Sequence, residues 1–261
     1  MMGGTDLFPR LRERLVRPSV VVDVKGLPGM RAVSYDEITG LTVGAAATMN
    51  GIAQSPPVRS HYPLLAEAAK AVASYQLRNR ATIGGNLCNA SPCADTAPAT
   101  IALDGTLQIY GPAGEREVTA EAFFQGPGRA DLRAGEFLTG IRFAPPPSNG
   151  VGRYLKLGRS KKGDLSLVSV AAYAFPHGET PSGYAFRIVL GAVAPTPLRV
   201  RAAEEVLFTR APGEESFTLA AQKAMKAAVP IDDVRSSAAY RREMVRVLTQ
   251  RALAAVWEQV S

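Results

Sequence analysis

Cysteine and histidine are scarce in this chain, and each occurs only twice among its 261 residues. Cys88 and Cys93 lie five positions apart in a polar segment, and two thiols are too few for an iron–sulfur cluster or a structural zinc site. Two cysteines also give little reason to expect a disulfide-stabilised secreted protein. His61 and His177 stand in unrelated contexts, so we assign neither of them a catalytic role. We therefore predict no metal site and no catalytic residue of the nucleophile–histidine type.

Long apolar runs and blocks of like charge are also missing. No stretch has the length of a transmembrane helix, and the N-terminus lacks the basic-then-apolar pattern of a signal peptide, so we expect a cytoplasmic protein without a membrane span. The 30 basic and 23 acidic residues give a formal net charge of +7, spread along the chain. No basic run interleaved with aromatic residues occurs, so nucleic-acid binding is not expected. Dispersed positive charge is typical of a solvated surface and also suits an acidic partner or an anionic cofactor.

Neither common nucleotide motif is present, because the chain has no G-x-G-x-x-G and no G-x-x-x-x-G-K-[ST]. It has instead a stretch of small, turn-forming residues at 81–98, which reads ATIGGNLCNASPCADTAP. Gly84 and Gly85 predict a turn with positive φ, whose successive amides face one concavity and hold an anion such as a pyrophosphate. A tight hairpin is the alternative for the same pair. A second turn of this kind, GGTDL at residues 3–7, could grip the same diphosphate from the other side.

The pattern of elements predicts an α+β protein of two domains, 1–147 and 148–261, divided at the linker-like PPPSNG of residues 145–150. In the first domain, apolar runs and turn signals predict a buried strand at 20–24, a helix that starts at Pro63, a hairpin over 107–118 and a strand over 137–143. The second domain is predicted to be a three-stranded antiparallel sheet, with strands at 154–158, 165–175 and 184–190. Amphipathic segments at 198–208, 217–228 and 238–260 supply helices to cover that sheet.

These motifs, taken in order, carry a family resemblance. TIGGN followed by ASPCADTAP, preceded by GGTDL and followed by YLKLGRSKKGDLSLVSVAA and LGAVAPTPLR, resembles the FAD-binding medium subunit of the molybdenum hydroxylases, the xanthine dehydrogenase and carbon monoxide dehydrogenase type. The resemblance covers essentially the whole chain. It implies an FAD-binding PCMH-type domain, like that of vanillyl-alcohol oxidase, over 1–147 and a C-terminal flavoprotein domain over 148–261. Family members have a strand, a helix and a strand before the first loop, so the resemblance also implies an N-terminally truncated chain.

The resemblance further implies a set of FAD-binding residues. The first diphosphate loop corresponds to Gly3, Gly4, Thr5 and Asp6, and the second to Thr82, Gly84, Gly85 and Asn86. Asp95 matches the acidic residue that holds hydroxyls on the flavin side, Leu138 an apolar cofactor contact, and Lys156 a basic contact near the ring or its chain. Without the resemblance, Lys156 reads as an exposed strand lysine. The basic turn at 159–162 departs from the usual arginine-plus-small-residue form, so the approach of the electron acceptor is expected to differ.

The implied function is electron transfer. A large molybdopterin-binding subunit would oxidise the substrate, a small subunit with two [2Fe-2S] clusters would relay electrons, and FAD in this chain would pass them to NAD, a quinone or another acceptor. A flavin brings its own redox chemistry, which fits the lack of a side-chain catalyst. Two alternatives remain open at this point. One is a stand-alone flavin reductase of the same fold, such as a peptidoglycan-precursor reductase, and the other is a flavin-free scaffold subunit.

Overall fold

The computed structural model describes residues 1–160 and 163–261. The lysines at 161 and 162, half of the predicted basic turn, lie outside the described residues. The helices of the N-terminal part are α1 (Leu7–Arg12), α2 (Met49–Gln54), α3 (Pro56–His61), α4 (Pro63–Ala71), α5 (Tyr75–Arg78), α6 (Ile83–Cys88), α7 (Thr96–Ala102) and α8 (Ala120–Phe123). Its strands are β1 (Val33–Asp36), β2 (Gly40–Gly44), β3 (Thr106–Gly111), β4 (Gly114–Thr119), β5 (Phe124–Gly126), β6 (Arg129–Ala130) and β7 (Phe137–Phe143).

Five of these strands form one antiparallel sheet in the order β1-β2-β7-β3-β4, and β5 and β6 pair separately. The hairpin predicted over 107–118 is formed by β3 and β4, in which Leu107 lies opposite Val118. The strand predicted over 137–143 is β7, which lies between β2 and β3. The helix predicted to start at Pro63 is α4, where proline occupies the first turn without the loss of a helical hydrogen bond. Periodicity and turn chemistry were sufficient to predict these elements.

The described C-terminal part contains another antiparallel sheet and three helices of nine to twenty residues. Its elements are β8 (Val151–Leu157), β9 (Val168–Pro176), β10 (Tyr184–Gly191), β11 (Leu198–Arg199), α9 (Arg201–Thr209), α10 (Glu214–Ala227) and α11 (Ala238–Trp257). The strand order is β11-β10-β9-β8, so the predicted three-stranded sheet is confirmed, with the two-residue β11 added at one edge.

Strand β9 explains how the two parts pack together. Successive side chains of a strand point to opposite faces of the sheet. Val170 and Ala172 belong to the core that β9 shares with the helices α9, α10 and α11. Ala171 and Tyr173 belong instead to the core of the N-terminal part, where Leu64 of α4 is also buried. The second sheet is therefore covered on both faces, which explains why β9 is an almost continuous run of buried residues.

The buried strand predicted for residues 20–24 is wrong. Val20 is 72% exposed and Val22 is 64% exposed, and the segment belongs to neither sheet. Its backbone meets Met1, whose carbonyl accepts a hydrogen bond from the Val24 amide at 3.3 Å. β-branched residues favour an extended backbone, but a strand is stable only beside a partner that takes up its hydrogen bonds.

Within residues 1–160 and 163–261, no helix combines the length and the apolar character that crossing a bilayer requires.

Candidate functional site

The two glycine motifs lie on the walls of one cleft, whose volume is about 520 Å³. This volume is within the usual range for small-molecule sites. The residues that line it come from four segments of the chain, and they include Gly3, Gly4, Thr5, Asp6, Arg10, Thr82, Gly85, Asn86, Asn89, Ser91, Asp95, Asp164 and Leu165. Two segments some eighty positions apart in sequence therefore face a common space.

The first loop requires glycine for two reasons. Gly4 has φ of +77°, in the left-handed region, and a Cβ there would lie 2.6 Å from the Phe8 ring. A Cβ on Gly3 would lie 2.3 Å from the carbonyl oxygen of Arg80, so Gly3 allows the first loop to pack directly against the chain that leads into the second. Over the described part of the chain, the backbone amides of residues 3–6 donate to no protein acceptor. Consecutive free amides at the wall of a cleft are well suited to bind an anion.

The second motif has a different conformation from the one predicted. Gly84 and Gly85 lie in the first turn of α6, and neither has positive φ, so both the predicted turn and the alternative hairpin are wrong. Their amides are already used: that of Gly84 donates to the Ala45 carbonyl at 2.8 Å, and that of Gly85 to the Thr82 hydroxyl at 3.2 Å. Thr82 is extended and acts as the N-cap of α6, so its hydroxyl satisfies the Gly85 donor that the predicted turn would have left free.

Close packing explains the glycine at position 84. A Cβ there would lie 2.6 Å from the Ala45 carbonyl oxygen, so any larger residue would push α6 away from the chain that follows β2. Gly84 itself is absent from the residues that line the cleft, whereas Gly85 and Asn86 are among them. The Asn86 Oδ1 accepts from the Thr96 hydroxyl at 2.6 Å. What Asn86 can offer a ligand is therefore the pair of N–H donors on its side-chain amide nitrogen.

Asp95 is the centre of a buried hydrogen-bond network. Its Oδ1 accepts from the Tyr154 hydroxyl at 2.8 Å and from the Ser166 hydroxyl at 2.7 Å. Its Oδ2 forms an ion pair with Lys156, whose Nζ lies 2.8 Å away and also donates to the Ala71 carbonyl at 3.0 Å. Burial and the neighbouring charge of Asp95 raise the pKa of Tyr154 well above its ordinary value, so the phenol stays neutral and donates. Asp95 thus joins the start of α7 to β8 and to the segment before β9.

Besides Gly84, two of the predicted residues, Lys156 and Leu138, lie outside the lining of this cleft. Lys156 reaches the site through its ion pair with Asp95. Leu138 is fully buried in β7, opposite Ile109 of β3. Their predicted direct contacts with the cofactor are therefore not supported by the lining of the cleft, and they stay predictions.

One wall of the cleft has an unusual backbone conformation, which Arg78 stabilises by hydrogen bonds. Val72 and Ala73 line the cleft, and Ala73 has φ of +41°, which is uncommon for a residue other than glycine. The Arg78 Nη1 donates to both of their carbonyls, at 2.8 and 3.0 Å, and its Nε donates to Asn50. Arg78 therefore fixes the backbone of the wall.

Sequence reasoning missed several residues of the site. Tyr154 could have been found, because it lies two positions before Lys156 on one strand and thus on the same face. Asp164 and Ser166 lie between β8 and β9, and no local pattern predicts which distant residues they meet. Arg10 gave no signal beyond its position one helical turn after the first loop.

The two free thiols also lie on the cleft. Burial raises the pKa of Cys88 to about 12, so this thiol stays protonated at neutral pH. The Cys93 Sγ donates to the Ser166 carbonyl at 3.4 Å. Across the described ranges, no three His, Cys, Asp or Glu side chains come together as a metal centre would require.

Comparison with known protein families shows which family the chain belongs to. The family described as "FAD binding domain in molybdopterin dehydrogenase" matches residues 1–146, and the "CO dehydrogenase flavoprotein C-terminal domain" matches residues 153–256. The chain belongs to the FAD-binding subunits of the molybdenum hydroxylases. It is therefore a flavin-binding subunit of an oxidoreductase, and its cofactor is FAD.

Known relatives are similar in sequence to this chain over nearly its whole length. The carbon monoxide dehydrogenase medium chain of Hydrogenophaga pseudoflava is 35% identical over 258 residues, which is 98% of this chain and 88% of the relative. The xanthine dehydrogenase FAD-binding subunit of Escherichia coli O157:H7 is 29% identical over 255 residues, 97% of this chain and 86% of the relative. The solved carbon monoxide dehydrogenase from H. pseudoflava superposes with a TM-score of 0.94 at 34% identity, over 100% of this chain and 90% of that one. These similarities confirm the fold expected of an FAD-binding PCMH-type domain followed by a C-terminal flavoprotein domain.

The cleft suits FAD chemically. The free amides of residues 3–6 match the needs of a diphosphate, and the side chains of Asn86, Asn89 and Ser91 offer hydrogen bonds to a chain of hydroxyl groups.

Proposed function

We propose that this subunit holds FAD in the cleft between the two glycine motifs and passes electrons from the [2Fe-2S] clusters of a small partner subunit to an acceptor such as NAD or a quinone. A large molybdopterin-binding subunit would oxidise the substrate. The names of the relatives support this proposal, because several are medium chains or subunits of dehydrogenases. Bound FAD supplies the redox chemistry, while the chain binds and orients it.

The observation that carries the proposal is the common cleft of the two motifs. In it, the amides of Gly3, Gly4, Thr5 and Asp6 would hold the diphosphate. From the second motif, the backbone of Gly85 and the side chain of Asn86 would contact the cofactor. Thr82 and Gly84 would set the position of α6, Thr82 as its N-cap and Gly84 by close packing against Ala45. Asp95 would accept from a flavin-side hydroxyl, since a carboxylate has about four acceptor sites and the described donors use three.

Lys156 would act through Asp95, because its ion pair fixes that carboxylate. Leu138 would support the cleft from the core of the first sheet. We also place the domain boundary between residues 147 and 148, where the proline-rich segment joins β7 to β8, and we place the protein in the cytoplasm.

The test is the flavin content of the purified 261-residue chain. We expect the absorption bands of bound flavin, or their appearance after reconstitution with FAD and removal of excess. A colourless protein that FAD does not reconstitute would favour the scaffold alternative. In the complex with its partners, addition of the substrate should bleach the flavin bands. Turnover of a substrate by the isolated subunit would instead favour a stand-alone reductase.

A further inference from the structure

We propose that Arg10 is an FAD-binding residue, whose guanidinium neutralises the diphosphate at the mouth of the cleft. The inference rests on the proposed flavin site and adds a residue that neither the sequence motifs nor the family resemblance indicated.

The charge balance of the cleft leads to Arg10. Among residues 1–160 and 163–261, the charged side chains that line the cleft are Asp6, Arg10, Asp95 and Asp164. Asp95 is neutralised by Lys156, and Asp164 pairs with Arg159, whose Nε lies 3.3 Å from its Oδ2. Within the described part of the chain, the carboxylate of Asp6 accepts from two neutral groups alone, the Thr5 hydroxyl and the Asn89 side-chain amide, each at 3.4 Å. Without Arg10, the described side chains of a cleft that must hold a dianion would therefore include a carboxylate with no positive partner among them.

Arg10 is placed to correct this balance. It lies on α1, directly after the first loop, and it lines the same cleft as the free amides of residues 3–6. Among the residues that the structure describes, no carboxylate forms an ion pair with it, although Asp6 precedes it by four positions. A guanidinium is always charged, and its fork of N–H donors suits bidentate contact with phosphate oxygens.

The same helix provides a matched control. Arg12 has the same charge and is likewise exposed, but it is not among the residues that line the cleft. Loss of either arginine changes the net charge of the chain equally. Only the loss of Arg10 should remove a contact with the diphosphate.

The experiment measures the Kd of FAD for the flavin-free full chain by flavin fluorescence, at several salt concentrations. For Arg10→Gln we expect Kd to rise by about tenfold to a hundredfold, the effect of losing a hydrogen bond between charged groups. The dependence of Kd on salt should also become weaker, because a charge–charge contact is screened by ions. Arg12→Gln should bind like the wild type, and Arg10→Lys should recover the salt dependence. Circular dichroism checks that each variant is folded.

Equal affinities for Arg10→Gln and Arg12→Gln would overturn the inference. So would a weaker affinity in Arg10→Gln with unchanged salt dependence, since the residue would then shape the cleft without contributing its charge. If the wild type itself binds no FAD, the proposed function fails, and that result is distinct from a failure of Arg10 alone.

Discussion

Asp95 offers the sharpest test of how the site is built, through the variant Asp95→Asn. The substitution keeps the shape of the side chain and leaves an oxygen that can still accept from Tyr154 and Ser166. It removes the negative charge, and the new amide would direct a donor at the Lys156 ammonium. The ion pair is largely buried, with side-chain exposures of 7% for Asp95 and 16% for Lys156.

Removing one partner of a buried pair typically costs about 3–5 kcal/mol, and the partial exposure of Lys156 favours about 3 kcal/mol here. At about 2–4 °C per kcal/mol for chains near this size, Tm should fall by about 6–12 °C. Denaturant unfolding of the flavin-free chain measures the free-energy change without any contribution from bound cofactor. The matched control is Glu117→Gln, which breaks an exposed ion pair with Arg142 and should cost less than about 1 kcal/mol.

The double variant Asp95→Asn/Lys156→Met separates the ion pair from other effects. Because it also removes the stranded charge of Lys156, it should be less destabilised than the sum of its two single variants. The free energy of unfolding of the control should lie within about 1 kcal/mol of the wild-type value. If that of Asp95→Asn lies equally close, the buried network does not join the two parts of the molecule.

Two further predictions follow from the walls of the cleft. Gly3→Ala should weaken FAD binding, because its Cβ would lie 2.3 Å from the Arg80 carbonyl oxygen and force the first loop away from the second motif. The control is Gly26→Ala, whose Cβ meets nothing within 4 Å. Equal Kd values of FAD for the two variants would contradict the argument. Hydrogen bonds from the Arg159 side chain and amide lower the pKa of Asp164 to about 2. The ionised Asp164 therefore contributes its full stabilisation above the ordinary aspartate pKa of about 4, and this contribution is lost as the pH falls through about 2. The stability difference between the wild type and Asp164→Asn, measured by denaturant titration, should therefore be constant above about pH 5 and shrink towards pH 2, and a difference that does not change with pH would refute it.

Much of the fold followed from local patterns. The strand over 137–143, the hairpin of β3 and β4 and the start of α4 at Pro63 were all predicted, because the period of apolar residues and the restrictions of proline and glycine act within a few positions. For the site, the sequence by itself determined the two glycine motifs and the family to which they belong.

The tertiary structure decided how those motifs are used. The amides of the second motif are satisfied by Ala45 and Thr82, while those of the first remain free, because a backbone donor is available to a ligand only when no folded partner accepts from it. Residues 20–24 have strand propensity, but they pair with no strand of the three sheets that the described residues form. Asp95 and its donor Ser166 are 71 positions apart, and no local pattern predicts which distant hydroxyl a buried carboxylate will meet. Propensity is a property of a segment, whereas hydrogen-bond satisfaction and charge pairing depend on which segments the fold brings together.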